Sequence, residues 1–396
     1  MVVVGAGAGG GVALLLVILI ILYCRRKPTK QSSAKVRPIE SVAAKPAGVA
    51  TPGVSSSSRS SAAPMGMVPT AREVSNAVKL SKAQALLKAW EVDAADLRVE
   101  EEALGEGGQA LVLKGVWRGI AVAVKQHKKP RSGKAQQSSA AQDSFAQAIR
   151  REVRALARVR HPNVVRLYGA CFEPVPMVLM AYAPSGTLQD ALDANKFQAA
   201  VEVVRLLGGV ARGMAAVHAH NIIHLDLKPE NVLIGPYDVP WITDFGLSTS
   251  ANMTSMSQSS AGGRGTLPFK APELFAHPPV VSKAADVYAF SILAWIVVTG
   301  EQPYLTMEFA ATALPSAVAS GTRPELSTAD DDWRDRTTST LAKLIESMWV
   351  GDKSRRPVFD DEPGSMYPSA EPGIVGRLER IESATAKMSD DASQES

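Results

Sequence analysis

NIIHLDLKPENVLI, residues 221–234, decides how the rest of the chain is read. Polar His224, Asp226, Lys228 and Asn231 are packed between short apolar, strand-like runs. A purely structural core has no use for that pattern, because every buried polar group needs a partner. Chemistry does have a use for it: a carboxylate to accept a hydroxyl proton, a cation for negative charge, and an amide oxygen that can ligate a metal. Downstream, WITDFGLS (241–248) brings Asp244 to the end of another apolar strand, with Gly246 to let the chain turn. Asn231 and Asp244 are hard oxygen ligands of the kind that hold Mg²⁺ together with phosphates.

Upstream, LGEGGQALVLKGVWRGIAVAVK (104–125) alternates like two strands joined by a turn, with glycines concentrated at its start. Gly105 and Gly107 leave no side chain between backbone amides and a phosphate. Lys125 ends an apolar strand, where a bare charge is costly unless paired. A partner is offered by FAQAIRREVRALARVRHPNVVRLYGAC (145–171): Phe145, Ile149, Val153 and Leu156 fall at helical spacing, and Glu152 sits beside that stripe.

Taken in order, and with APE at Ala271–Glu273, these pieces resemble the eukaryotic protein kinase motif set. The resemblance covers roughly residues 90–380 and continues in DVYAFSILAWIVVTGEQPY (286–304) and MWVGDKSRRPVF (348–359). It implies an α+β, bilobal fold: a small β-rich N-lobe with one helix, and a larger, mainly helical C-lobe. It also implies ATP and Mg²⁺ as cofactors. Asp226, Lys228, Lys125 and Glu152 are then the catalytic set, with Asn231 and Asp244 as metal ligands. The nucleotide falls to Leu104, Gly105, Gly107, Val112, Ala123 and Lys125 on the strands, to Met180, Ala181 and Ala183 around the hinge, and to Leu233 beneath. Glu273 and Arg356 match a structural ion pair, and Leu156, Leu167, His224 and Phe245 match a hydrophobic stack.

Lys228 with Pro229 and Glu230, and Thr266 after Gly265, resemble serine/threonine kinases. WEVDAADLRV (90–99), RLYGACF and DVYAFSILAW are instead similar to tyrosine kinases, and that mixture is characteristic of the tyrosine-kinase-like group of serine/threonine kinases. Three departures stand out. Ala110 replaces the third glycine, Ala181 replaces a frequent hinge acid, and Leu225 replaces the arginine before the catalytic aspartate. Without that arginine there is no charge for an activation-segment phosphate to neutralise. The segment nonetheless carries Ser248, Thr249, Ser250, Thr254, Ser255, Ser257, Ser259 and Ser260.

The chain has 396 residues, 46% hydrophobic and 21% charged, which is ample for a sizeable core and excludes a wholly disordered or collagen-like chain. Its two cysteines, Cys24 and Cys171, cannot build a disulfide scaffold. The net charge of +4 is local in origin: residues 25–46 alone carry +6, so the remainder sums to −2 and gives no footprint for nucleic acid. Val2–Leu22 is entirely apolar or glycine and is followed by Arg25, Arg26 and Lys27, which predicts a single transmembrane span with everything after it cytoplasmic. Small-xxx-small spacing at Gly5 and Gly9 suits a homodimer through the span. Between Arg25 and Thr70 there is no leucine or aromatic residue, so this reads as a linker. Apolar periodicity through Val74, Val78, Leu86, Leu87 and Trp90 then predicts a short helix leading into the folded part.

The expected organisation is therefore a membrane segment (1–24), a basic and then Ser/Pro/Ala-rich linker (25–84), N-lobe and hinge (85–183), C-lobe (184–385) and a disordered tail (386–396). The expected activity is phosphoryl transfer from ATP to protein Ser/Thr hydroxyls in signalling. Two rival readings are a pseudokinase scaffold, and the cytoplasmic part of a receptor whose ectodomain precedes Met1. Retention of Lys125, Glu152, Asp226, Asn231 and Asp244 together speaks against the scaffold.

Overall fold

A computed structural model describes residues 82–106, 110–127, 139–173, 175–251, 265–305, 311–326, 334–360 and 372–395. The chain divides into two units, Met1–Met67 and Val68–Ser396, and every described residue falls in the second. The expected membrane run and most of the linker lie outside the described residues, as do Gly107 and residues 252–264. Among the described residues no helix is long and apolar enough to cross a membrane.

The first described element, helix α1 (residues 82–89), buries Leu87 and starts before position 85, so the folded part reaches into the stretch expected to be linker. An antiparallel sheet follows, built from β1 (Leu97–Glu106), β2 (Ala110–Trp117), β3 (Ile120–His127), β4 (Leu167–Cys171) and β5 (Met177–Ala181) in the order β1-β2-β3-β5-β4. Central β3 buries Val122, Ala123 and Val124, as its unbroken apolar run requires of a strand covered on both faces. Register sets Lys125 opposite Val112 on one side and Val178 on the other, while Ala123 faces Met180. Helix α2 (Ser139–Leu156) packs against this sheet through Phe145, Ile149, Val153 and Leu156, all buried, so the period read from the sequence is the period of burial.

The larger lobe is mainly helical. It comprises α3 (Leu188–Asp193), α4 (Ala200–Ala219), α5 (Lys283–Thr299), α6 (Leu314–Ala319), α7 (Arg334–Met348) and α8 (Ile374–Glu395). From Ala285 to Val297 every residue of α5 is buried, which identifies the central helix, because a helix apolar all round must be enclosed. It ends at Gly300, whose φ of 71° is the left-handed C-cap conformation that favours glycine. Helix α8 packs on α4 through Ile374, Leu378 and Ile381 and continues to Glu395. Residues 386–395, expected as a disordered tail, thus prolong the helix: Thr385 is still buried, and Ala386, Lys387 and Met388 are good helix formers that propagate a turn already nucleated.

Short strands lie between α4 and α5: β6 (Ile222–Ile223), β7 (Val232–Ile234), β8 (Pro240–Ile242) and β9 (Thr249–Ser250), pairing β7 with β8 and β6 with β9.

Candidate active site

Two tight turns carry the site. The first follows β6. Leu225 adopts φ 67°, a left-handed backbone that is strained for a branched aliphatic residue. Asp286, wholly buried on α5, holds that strain in place. One of its oxygens accepts from the Leu225 N–H (2.9 Å), and the other accepts from the His224 N–H (2.8 Å) and meets His218 Nε2 (2.8 Å). Both oxygens of a charge that would otherwise be buried unpaired are thereby bonded. The second turn follows β8, where Asp244 has φ 61° and Phe245 is fully buried, edge-on to His224 with ring centroids 4.8 Å apart. His224 Nε2 contacts the Thr243 carbonyl at 2.9 Å, tying the two turns together.

The Asp226 carboxylate is held from both sides. Asp226 Oδ1 accepts from the Thr266 N–H (3.1 Å) and the Thr266 hydroxyl (2.9 Å), and Oδ2 accepts from Asn231 Nδ2 (3.0 Å). Lys228 Nζ donates to Thr266 Oγ1 at 2.9 Å and lies 3.7 Å from Asp226 Oδ2. Thr266 reaches this position because Gly265, at φ 95°, passes close to the first turn; a Cβ there would stand 2.6 Å from the Leu225 carbonyl oxygen.

On the sheet side, Lys125 Nζ lies 3.0 Å from Glu152 Oε2 and 2.7 Å from Asp244 Oδ1. Burial alone would lower the Lys125 pKa, but the Glu152 and Asp244 carboxylates more than reverse it, so the ammonium is held above its ordinary value. Burial raises the Glu152 carboxyl against the pull of Lys125. For Asp244, whose side chain is only partly covered, the same competition goes the other way: Lys125 outweighs the partial desolvation and holds it below the usual carboxylate range. The closer of the two contacts belongs to the acid that gains more.

Most of the residues expected to meet the nucleotide lie on the sheet and the segment that follows β5. Gly105 pairs with Val112, Ala123 with Met180, and Leu233 on β7 bridges to Thr187 just beyond the hinge. Ala181 commits its N–H to the Arg166 carbonyl, and the Ala183 carbonyl accepts from the Gly186 N–H. Leu104 stands exposed on β1, and Gly107 lies outside the described residues. Away from the cleft, Arg356 forms a two-pronged pair with Glu273, both contacts at 2.8 Å.

The structure adds residues that the sequence reading did not single out for these roles. Asp286 was detectable as a lone acid within the apolar run AADVYAF. Thr266 reads in the sequence only as a subfamily marker, and its grip on Asp226 depends on a fold-back from another segment. Ser248 differs from the expected phosphorylatable hydroxyls: it is buried and donates to the Phe245 carbonyl at 2.7 Å.

The chain matches the protein kinase domain family over residues 98–362. It is 32% identical over 273 residues to a probable serine/threonine-protein kinase of Dictyostelium discoideum, covering 68% of this chain and 28% of that protein. It is 34% identical over 282 residues to human mitogen-activated protein kinase kinase kinase 11, covering 67% and 30%. A serine/threonine-protein kinase of Arabidopsis thaliana is 30% identical over 284 residues, covering 69% and 44%. The chain therefore spans less than half the length of these curated relatives. With a family match over most of the described chain and relatives of this identity, the chain belongs to the protein kinase family and carries a domain of its serine/threonine type.

Proposed function

We propose that this protein transfers the γ-phosphoryl group of ATP to Ser/Thr hydroxyls of protein substrates. The observation that carries this reading is the assembled pair of clusters: Lys125 between Glu152 and Asp244 on one wall, and Asp226 with Lys228 and Thr266 on the other. Lys125, fixed by two carboxylates, is a point charge aimed at the α and β phosphates. Asp226, steadied by Thr266 and Asn231, orients the attacking hydroxyl and takes its proton as the oxygen bonds to the γ-phosphorus and ADP leaves. Lys228 lowers the charge on the transferring group.

The donor set fits Mg²⁺. Asn231 donates through Nδ2 to the Asp226 carbonyl (2.7 Å) and carboxylate, which turns its Oδ1 away from them, and Asp244 supplies a carboxylate held ionised. A metal held by these two residues would neutralise phosphate charge and align the nucleotide.

Leu225 lines a small cavity with Phe269 and Leu274 beside Asp226, Lys270 and Asp286, and it brings no charge of its own to the place where related kinases put a phosphate-seeking arginine. Phosphate on Thr254–Ser260 then tunes docking without switching catalysis on. The apolar run Val2–Leu22 with its flanking Arg25, Arg26 and Lys27 supports a single span, a cytoplasmic kinase domain and pairing through the span in signalling.

The test is Mg²⁺-dependent transfer of labelled phosphate from ATP to a generic basic protein by the full chain, with Asp226→Asn as control. No transfer by the unmutated chain at any Mg²⁺ or Mn²⁺ concentration would make it a scaffold. Release of the protein by alkaline carbonate washing would refute the span.

A further inference from the structure

Arg151 and Glu152 are neighbours on α2, and each grips a different backbone group of the turn after Asp244. The Glu152 carboxylate accepts from the Phe245 N–H. Arg151 Nη1 donates to the Gly246 carbonyl. Successive helix positions point about 100° apart, so the two side chains reach the turn from different directions. One offers an acceptor to an N–H and the other a donor to a C=O. A turn held at one point still pivots about it; held at two, by bonds of opposite polarity, it cannot rotate without breaking both.

The consequence follows from what the turn carries. Asp244 precedes it and touches Lys125, and the Gly246 N–H donates back to Asp244 Oδ1 at 3.3 Å. Phe245 fills a fully buried site against His224. Glu152 shares its carboxylate between Lys125 and Phe245, so its hold on the turn is tied to the position of the ion pair. Arg151 is permanently charged and bonds the turn without involving Lys125. We propose that Arg151 is a positioning residue that clasps the Phe245–Gly246 turn to α2, so that the helix and the metal-binding aspartate reach their working positions together. This rests on the kinase reading of the cleft. A one-residue shift along α2 would remove the device, which makes it a property of the Arg151–Glu152 pair rather than of the general charge of the helix.

The experiment compares Arg151→Ala and Arg151→Lys with the unmutated full chain by backbone hydrogen exchange and by steady-state kinetics. Losing a charge-assisted bond to a buried turn should speed exchange across residues 244–248 by roughly tenfold or more, while amides inside α5 keep their protection. The same variant should lose kcat by a similar factor with KM for the protein substrate unchanged. Lysine, which keeps a donor and a charge, should restore most of both. Unchanged exchange in the turn overturns the proposal. Equal acceleration in α5 also overturns it, because Arg151 would then serve overall stability. So does faster turn exchange with kcat intact. If the unmutated chain transfers no phosphate, the exchange measurements still decide the clasp, and only the kinase reading falls.

Discussion

Replacing Lys125 with methionine tests the electrostatic logic of the cleft most directly. Methionine keeps the length and apolar stem but deletes the charge that lies 3.0 Å from Glu152 and 2.7 Å from Asp244. The Glu152 side chain is 1% exposed, so it has no access to water as a substitute partner. Breaking a buried ion pair by removing one member costs about 3–5 kcal/mol, because the survivor is left uncompensated. Asp244 contributes little to that figure, since its side chain is 40% exposed and rehydrates. The pH dependence follows. Burial already raises the Glu152 pKa above its ordinary 4.5, and without Lys125 the rise is larger. A carboxyl with a raised folded-state pKa binds its proton more tightly when folded, so the variant recovers stability as pH falls through that raised value, the recovery levelling off below about 4.5. Urea unfolding of the full chain at pH 8 and near pH 5.5 should show the loss largely at the higher pH. Adding Glu152→Gln should recover most of the stability at pH 8 while transfer stays down by roughly 10²–10³-fold, since the phosphate anchor is still missing. Equal stability of Lys125→Met and the unmutated chain at pH 8, or a deficit independent of pH, would refute this account of the ion pair.

Asp226→Asn should lower kcat by roughly 10²–10⁴-fold with little change in the unfolding midpoint, as measured by phosphate transfer beside thermal unfolding. Thr266→Ala, which removes the hydroxyl linking Asp226 and Lys228, should cost about 1.5–3 kcal/mol of transition-state stabilisation in kcat/KM, whereas Thr266→Ser should stay within a few-fold. Glu273→Gln should destabilise the protein by about 3–5 kcal/mol in denaturant titration, because the Arg356 side chain it leaves behind is wholly buried. Alanine at Thr254, Ser255, Ser257, Ser259 and Ser260 together, with buried Ser248 spared, should leave kcat/KM within tenfold; a larger fall would show that Leu225 does not free catalysis from those hydroxyls.

Local chemistry and periodicity were enough to read several parts in advance. The 3.6-residue spacing of Phe145, Ile149, Val153 and Leu156 announces the buried face of α2, and the polar cluster in 221–234 has no structural excuse, so its members could be named from residue type alone. Glu152 was legible as an inward acid because it adjoins that stripe. Arg151 was not. On a helical wheel it is one more charge, and what it meets depends on how closely the Asp244 turn approaches the helix.

The sequence by itself determined the kind of chemistry and the class of fold, since both depend on residue types at short spacings: glycines near phosphate, a lysine closing an apolar strand, oxygen ligands in adjacent turns. Only the tertiary structure decided which groups act on one another across long separations. Asp286 supports the Leu225 backbone from more than sixty residues away, Thr266 fastens Asp226 across forty, and Lys125 joins Glu152 to Asp244. No local pattern encodes these contacts, because they are fixed by how lobes and turns pack once formed. The helical continuation to Glu395 belongs with them: its composition reads as a polar tail, and it is docking of the preceding turns on α4 that nucleates the helix.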